Sequence, residues 1–102
     1  MLFHITMTHT PENCPVYWPP DEQKEFFARA EKMQEVAKEM NINIHFMLAG
    51  VGHTMYALVE AESFSAMNSF FSGMQLKQDY QIEPVGKVQD VIAAFKAELE
   101  KK

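Results

Sequence analysis

The chain has 102 residues, 47% hydrophobic and 23% charged, with a formal net charge of −5, which fits one ordinary globular domain over residues 1–102, too short for a large internal pocket built by one copy. The acidic balance and scattered Lys and Arg exclude nucleic acid as a partner, and no apolar run approaches the length of about 18 residues that marks a membrane span. The first residues lack a basic stretch followed by an apolar one, so no signal peptide is expected, and the single Cys rules out an intrachain disulfide and suits a reducing cytoplasm, the expected location.

Residues 2–9, LFHITMTH, mix aromatic, β-branched and Thr side chains and predict a strand, with Phe3, Ile5 and Met7 on one face and His4, Thr6 and Thr8 on the other. Regular structure should stop by Thr10, because Pro donates no ladder hydrogen bond and restricts the residue before it. Pro19-Pro20-Asp21-Glu22 is a helix-start signal, with acids at the positive end of the dipole. The helix runs to about Met40, its apolar stripe being Phe26, Ala30, Met33, Ala37 and Met40. NINIHFMLAG predicts a second strand, and Gly50-Val51-Gly52 a hairpin turn into HTMYALVEA. With the turn centred on Val51, Phe46 faces Tyr56 and Ile44 faces Leu58, while His45, Met47, Met55 and Ala57 share the other face. Ser63 caps a further helix whose apolar positions are Phe64, Met67, Phe70, Phe71 and Met74, with Gly73 near its end. DYQIEPVGKV predicts a fourth strand, with Pro84 suiting an edge, and Val88, Val91, Ile92, Phe95 and Leu99 a terminal helix.

The order β-α-β-β-α-β plus a helix is the ferredoxin-like, α+β arrangement. Its sheet carries two helices on one face and leaves the other bare. That second face is too apolar to leave in water, so a homodimer pairing two sheets into one barrel is expected.

Residues 8–23, THTPENCPVYWPPDEQ, hold the only Cys, the only Trp, one of four His and four of the five Pro. A loop so costly to order calls for packing, a site, or both. His9 and His53 fall at the ends of strands that this topology makes neighbours, so they are expected near one another at one end of the sheet. Together with Tyr56 they would supply proton transfer or polarisation in an oxygenase or isomerase acting on a small apolar substrate. Cys14, Tyr17, Trp18, His45 and Met47 are the accompanying ligand-binding candidates, with Tyr17 and Trp18 covering a pocket mouth or stapling the loop to the first helix. Alternatively His9 and His53, with Cys14 or Glu12 from the loop, make a mixed nitrogen, sulfur and oxygen set for a transition metal, zinc, copper or iron, in a non-catalytic metal- or ligand-binding homodimer or a stress-related structural module. No HxH, HxxxH or CxxC spacing supports the metal directly, and Cys14 has no Lys or Arg within nine residues on either side to depress its pKa. The Met and Phe stripes read as core.

The segments MLFHITMTHTPE, GHTMYALVEAES and YQIEPVGKV together give the chain its likeness to a known group. It resembles the dimeric α+β barrel superfamily, which includes antibiotic-biosynthesis-type monooxygenases, muconolactone isomerases, chlorite dismutases and stress-responsive barrel proteins, and more narrowly it is similar to small DUF3303-type proteins. The resemblance implies the fold and the homodimer. It carries over no catalytic residue: the Asn/Trp/Arg set of cofactor-free monooxygenases has no counterpart position here, Trp18 lying in a loop, and the haem-ligating His of chlorite dismutases maps onto none of the four His.

Overall fold

In the computed structural model, which describes residues 1–73 and 76–102, β1 (Leu2–Thr8) lies between β3 (Thr54–Glu60) and the edge strand β4 (Asp79–Val85), with β2 (Asn43–Ala49) outside β3. The order is β2-β3-β1-β4 and every pairing is antiparallel. After β1 come α1 (Pro20–Glu31) and α2 (Met33–Glu39), after β3 comes α3 (Phe64–Ser72), and α4 (Val88–Glu100) ends the chain. This is the expected βαββαβ architecture with its extra helix.

The strand periodicity decides which face is covered. Phe3, Ile5 and Met7 of β1 and Ala57 and Val59 of β3 are buried together with Ala37 of α2 and Met67, Phe70 and Phe71 of α3. Each large apolar side chain taken from water contributes about 1.5–3 kcal/mol. The other face carries His4, Thr6, Phe46, Leu48, Tyr56 and Leu58, half-buried or exposed. Pro84 stands on the edge strand opposite Phe3, where the absence of an N–H is tolerated.

Three local features depart from the sequence reading. The single helix expected to run to Met40 is two, divided at Lys32, whose N–H donates to the Arg29 carbonyl at 3.1 Å in a tightened i→i+3 turn. α2 then stops through a Schellman motif. Asn41 takes a positive φ of 57°, its N–H donates to the Lys38 carbonyl and the Ile42 N–H to the Ala37 carbonyl, and Ile42 and Ala37 are buried. The β2–β3 hairpin centres on Gly52 rather than Val51. The Gly50 N–H donates to the Thr54 carbonyl at 2.7 Å, and Gly52 and His53 both have positive φ, at 76° and 64°. The register therefore moves by two: Phe46 faces Leu58 and Leu48 faces Tyr56, which keeps both pairs on the open face. Between Ile44 and Phe46 a bulge breaks the ladder, so Ile44 pairs with Val59 on the core side.

Ser63 caps α3 as its position predicts, its Oγ accepting the Ala66 N–H at 3.1 Å, and Gly73 ends that helix. Met74, assigned to the same stripe, lies outside the described residues. The terminal helix forms where expected, but it buries none of its residues. Phe95 and Leu99 are each 69% exposed, and the chain measures 63 × 30 × 18 Å along its principal axes.

Candidate metal centre

Two short 3₁₀ turns build the Pro-rich loop, Pro11–Asn13 and Pro15–Tyr17, each with a proline in its first turn. Proline has its φ pre-set for such turns and no N–H to leave orphaned. Cys14 joins them. Its N–H donates to the Pro11 carbonyl at 3.2 Å and its own carbonyl accepts the Tyr17 N–H at 3.0 Å. The loop is thus a chain of local hydrogen bonds that turns one side chain inward: Cys14 is only 8% exposed. Trp18 closes the second turn through its N–H on the Pro15 carbonyl and lays its half-buried ring edge-on against Phe26 of α1, centroids 5.3 Å apart. Tyr17 points outward and stays exposed. Of the two aromatics, Trp18 staples the loop to the helix and Tyr17 is left exposed.

His9 extends β1 by one residue. Its N–H donates to the His53 carbonyl at 3.2 Å, and the two imidazoles meet edge to face with centroids 5.1 Å apart. The ligand atoms of His9, Cys14 and His53 all lie within 4.8 Å of one another. Ligand atoms around one ion, at bond lengths of about 2.0–2.3 Å, lie about 3.3–3.8 Å apart, so small side-chain rotations bring this set to bonding distance. Both ring nitrogens of His9 are buried and neither has a hydrogen-bond partner among the described residues. Buried polar atoms are nearly always satisfied, and a ring with two free nitrogens beside a thiol and a second imidazole has the chemistry of a ligand. Burial holds the His9 imidazole below its ordinary value of 6.5, and neighbouring His53 pushes it the same way. The neutral form, the one that binds metal, is favoured.

A polar groove adjoins the trio, lined by Thr8, His9, Thr10, Asn13, Lys77, Gln78 and Asp79. In its wall Gln78 donates from Nε2 to the Tyr80 hydroxyl at 3.0 Å, while its Oε1 is buried with no partner among the described residues. Sequence reasoning missed Lys77, Gln78 and Asp79, which approach His9 only because Asp79 is paired with Thr8 across β4 and β1. A second cleft, apolar, lies between α1, α2 and α3 against Phe26, Met33, Val36 and Phe70; its lining contains no acid, thiol or imidazole.

The remaining candidates lie elsewhere. Tyr56 stands on the open face beside His4, ring centroids 6.4 Å apart, and not with His9 and His53. Strand alternation explains it: residue 56 has the opposite parity to the core-facing Met55, Ala57 and Val59. The reading that put His45 on the face of Met47, Met55 and Ala57 is corrected. The bulge turns it outward, where Nε2 lies 3.0 Å from Glu60 Oε1. Met47 does face inward, opposite Ala57, and packs against the core rather than the trio. The four histidines thus divide into a pair at the sheet end and a pair on the open face.

No family model matches the sequence, and no curated protein matches it. Among solved structures, the crystal structure of muconolactone isomerase is similar to this chain with a TM-score of 0.60 at 20% identity, covering 85% of this chain and 90% of that one. The likeness is one of fold: a mixed α+β chain with a four-stranded antiparallel sheet, as in that α+β barrel protein.

Proposed function

We propose that this chain is a homodimeric metalloprotein for a small polar ligand, in which His9, Cys14 and His53 hold one transition-metal ion and the groove beside His9 admits the ligand. The observation that carries the reading is His9, whose two buried nitrogens have no partner among the described residues and stand within reach of a thiol and a second imidazole. Three protein donors leave a coordination position open, and a bound ion would offer that position to a small molecule entering past Asn13 and Lys77. The fold neighbour is named as an isomerase of a small molecule, which suits a protein that handles small molecules. An enzyme built on His9, His53 and Tyr56 fits less well, because Tyr56 stands on the open face.

The homodimer rests on surface area. The chain exposes 7469 Å², about 1,600 Å² more than the roughly 5,900 Å² that a folded monomer of 11.7 kDa presents. Its radius of gyration is 17.0 Å against about 13 Å for a compact domain of this length. Exposed large apolar side chains include Phe46, Leu48 and Tyr56 on the open sheet face and Val88, Val91, Ile92, Phe95 and Leu99 on α4. Twice that surplus falls in the range of obligate homodimer interfaces, about 2,000–5,000 Å² in total.

The test is cobalt(II) titration of tag-free protein. We expect one ion per chain with a thiolate-to-metal charge-transfer band that Cys14→Ser removes, and weak binding in His9→Ala and His53→Ala. Absence of stoichiometric binding, or binding indifferent to these substitutions, overturns the reading.

A further inference from the structure

We infer that the cleft between α1, α2 and α3 binds a small carboxylic acid with a compact apolar body, whose carboxylate pairs with Arg29. The inference stands apart from the metal reading, since the cleft shares no residue with His9, Cys14 and His53. The wall of the cleft runs across the division between the first two helices at Lys32. Phe26 and Ala30 come from α1, Met33 and Val36 from α2, and Phe70 from α3. The volume is about 200 Å³, and a dry apolar cavity of about 150 Å³ already holds a benzene ring. There is room for one ring or branched chain and a short polar end.

The polar end is chosen by Arg29. The chain has nine Lys and Arg residues, and Arg29 is its one arginine. A place in the last turn of α1 suits the helix dipole, but a lysine would serve that purpose as well. What the dipole does not explain is how the guanidinium is partnered. Nη1 reaches Glu25 Oε1 only at 3.7 Å, beyond hydrogen-bond length, and Glu25 is no part of the cleft lining. Nε is buried with no partner among the described residues. Buried donors are nearly always satisfied, and a guanidinium presents a planar fork that holds a carboxylate through two parallel bonds. Lys32 adds a second positive charge to a lining that contains no acid. An apolar hollow bearing two cations disfavours amines and selects an amphipathic anion over a neutral molecule of the same shape.

Phe26 supplies a readout. Its ring meets Trp18, the one indole of the chain, at 5.3 Å between centroids, so a molecule packed on Phe26 alters the surroundings of the fluorophore. The experiment is titration of the wild type with phenylacetate, phenethyl alcohol and phenethylamine, followed by Trp18 fluorescence and by calorimetry. We expect one phenylacetate per chain, with the alcohol bound about tenfold more weakly and the amine more weakly still. Arg29→Gln should bind phenylacetate no better than the wild type binds the alcohol. Ala30→Leu, which fills the cleft with another good helix former, should lose all three, and circular dichroism checks that both variants keep the fold. Equal affinities for acid and alcohol, phenylacetate binding unchanged in either variant, or no binding at all overturns the inference. So does binding that appears only in Phe95→Glu, which would make the cleft the seat of a second copy's α4.

Discussion

The backbone N–H of His9 donates to the carbonyl of His53 at 3.2 Å, so the imidazoles that meet at 5.1 Å are registered by main chain before any side-chain contact is made. The hydrogen bond extends the β1–β3 ladder past Thr8 and Thr54. It costs a conformation that L-residues rarely take, since His53 has φ 64° directly after Gly52 at φ 76°. The turn that closes the hairpin is thus also the device that presents the second imidazole.

That strain gives a first prediction. His53→Ala and His53→Gly both remove the imidazole and should both abolish metal binding. The Gly variant relieves the left-handed strain, so its apo form should be about 1 kcal/mol more stable than the Ala variant, read from denaturant midpoints at equal m-values. Equal stabilities would mean that the turn adjusts without strain.

The second prediction concerns pH. In the folded apo-protein, burial and then His53 hold the His9 pKa below 6.5. In the window below 6.5 the unfolded chain therefore binds more protons at this residue, and stability falls as pH drops. The groups facing His9 are the His53 imidazole, the Cys14 thiol, and Lys77 and Asp79 of the groove. His9→Asn should flatten the stability profile between about pH 5 and 7 relative to wild type. Parallel wild-type and variant profiles would show that other groups govern the acid limb.

The third concerns assembly. α4 has an apolar stripe of Val88, Val91, Ile92, Phe95 and Leu99, each between 44% and 69% exposed. The wild type should sediment at twice the chain mass at low micromolar concentration. Phe95→Glu should shift it toward the monomer, because a carboxylate without a partner is costly to bury in an interface. A wild type that sediments as a folded monomer removes the homodimer.

Much of this was legible in the residues because periodicity reports faces. Phe3, Ile5 and Met7 alternate, Met33, Ala37 and Met40 recur at helical spacing, and the core follows. The approach of His9 to His53 was legible for a topological reason: βαββαβ order makes β1 and β3 neighbours, and both residues sit at the matching end. The hairpin centre was not. Gly50-Val51-Gly52 admits more than one turn, and the one adopted depends on His53 accepting a positive φ, which composition does not announce. The His45 bulge was also hidden, because an extra residue in a ladder leaves no mark on the alternation until the partner strand is in place. The groove wall of Lys77, Gln78 and Asp79 depends on β4 register, a contact nearly seventy residues distant in sequence from His9.

The last prediction concerns Cys14. Its thiol is buried, the loop carrying it is closed by the local hydrogen bonds of Pro11–Asn13 and Pro15–Tyr17, and the loop is anchored where Trp18 meets Phe26. A disulfide-exchange reagent reaches such a thiol only when the loop opens, so the native apo-protein should react far more slowly than the denatured chain. Trp18→Ala removes the anchor while leaving the prolines and both 3₁₀ turns in place. Opening then becomes easier, and labelling should accelerate about tenfold for each 1.4 kcal/mol of anchoring lost. Adding a stoichiometric thiophilic ion should slow labelling again in the wild type, because the thiolate is then a ligand, and should do so much less in His9→Ala. Labelling in the native wild type as fast as in denaturant would mean that the loop does not hold Cys14 against the sheet. In that case the three ligand atoms would be together only transiently, and the metal would have to order the loop on binding rather than meet a site already formed.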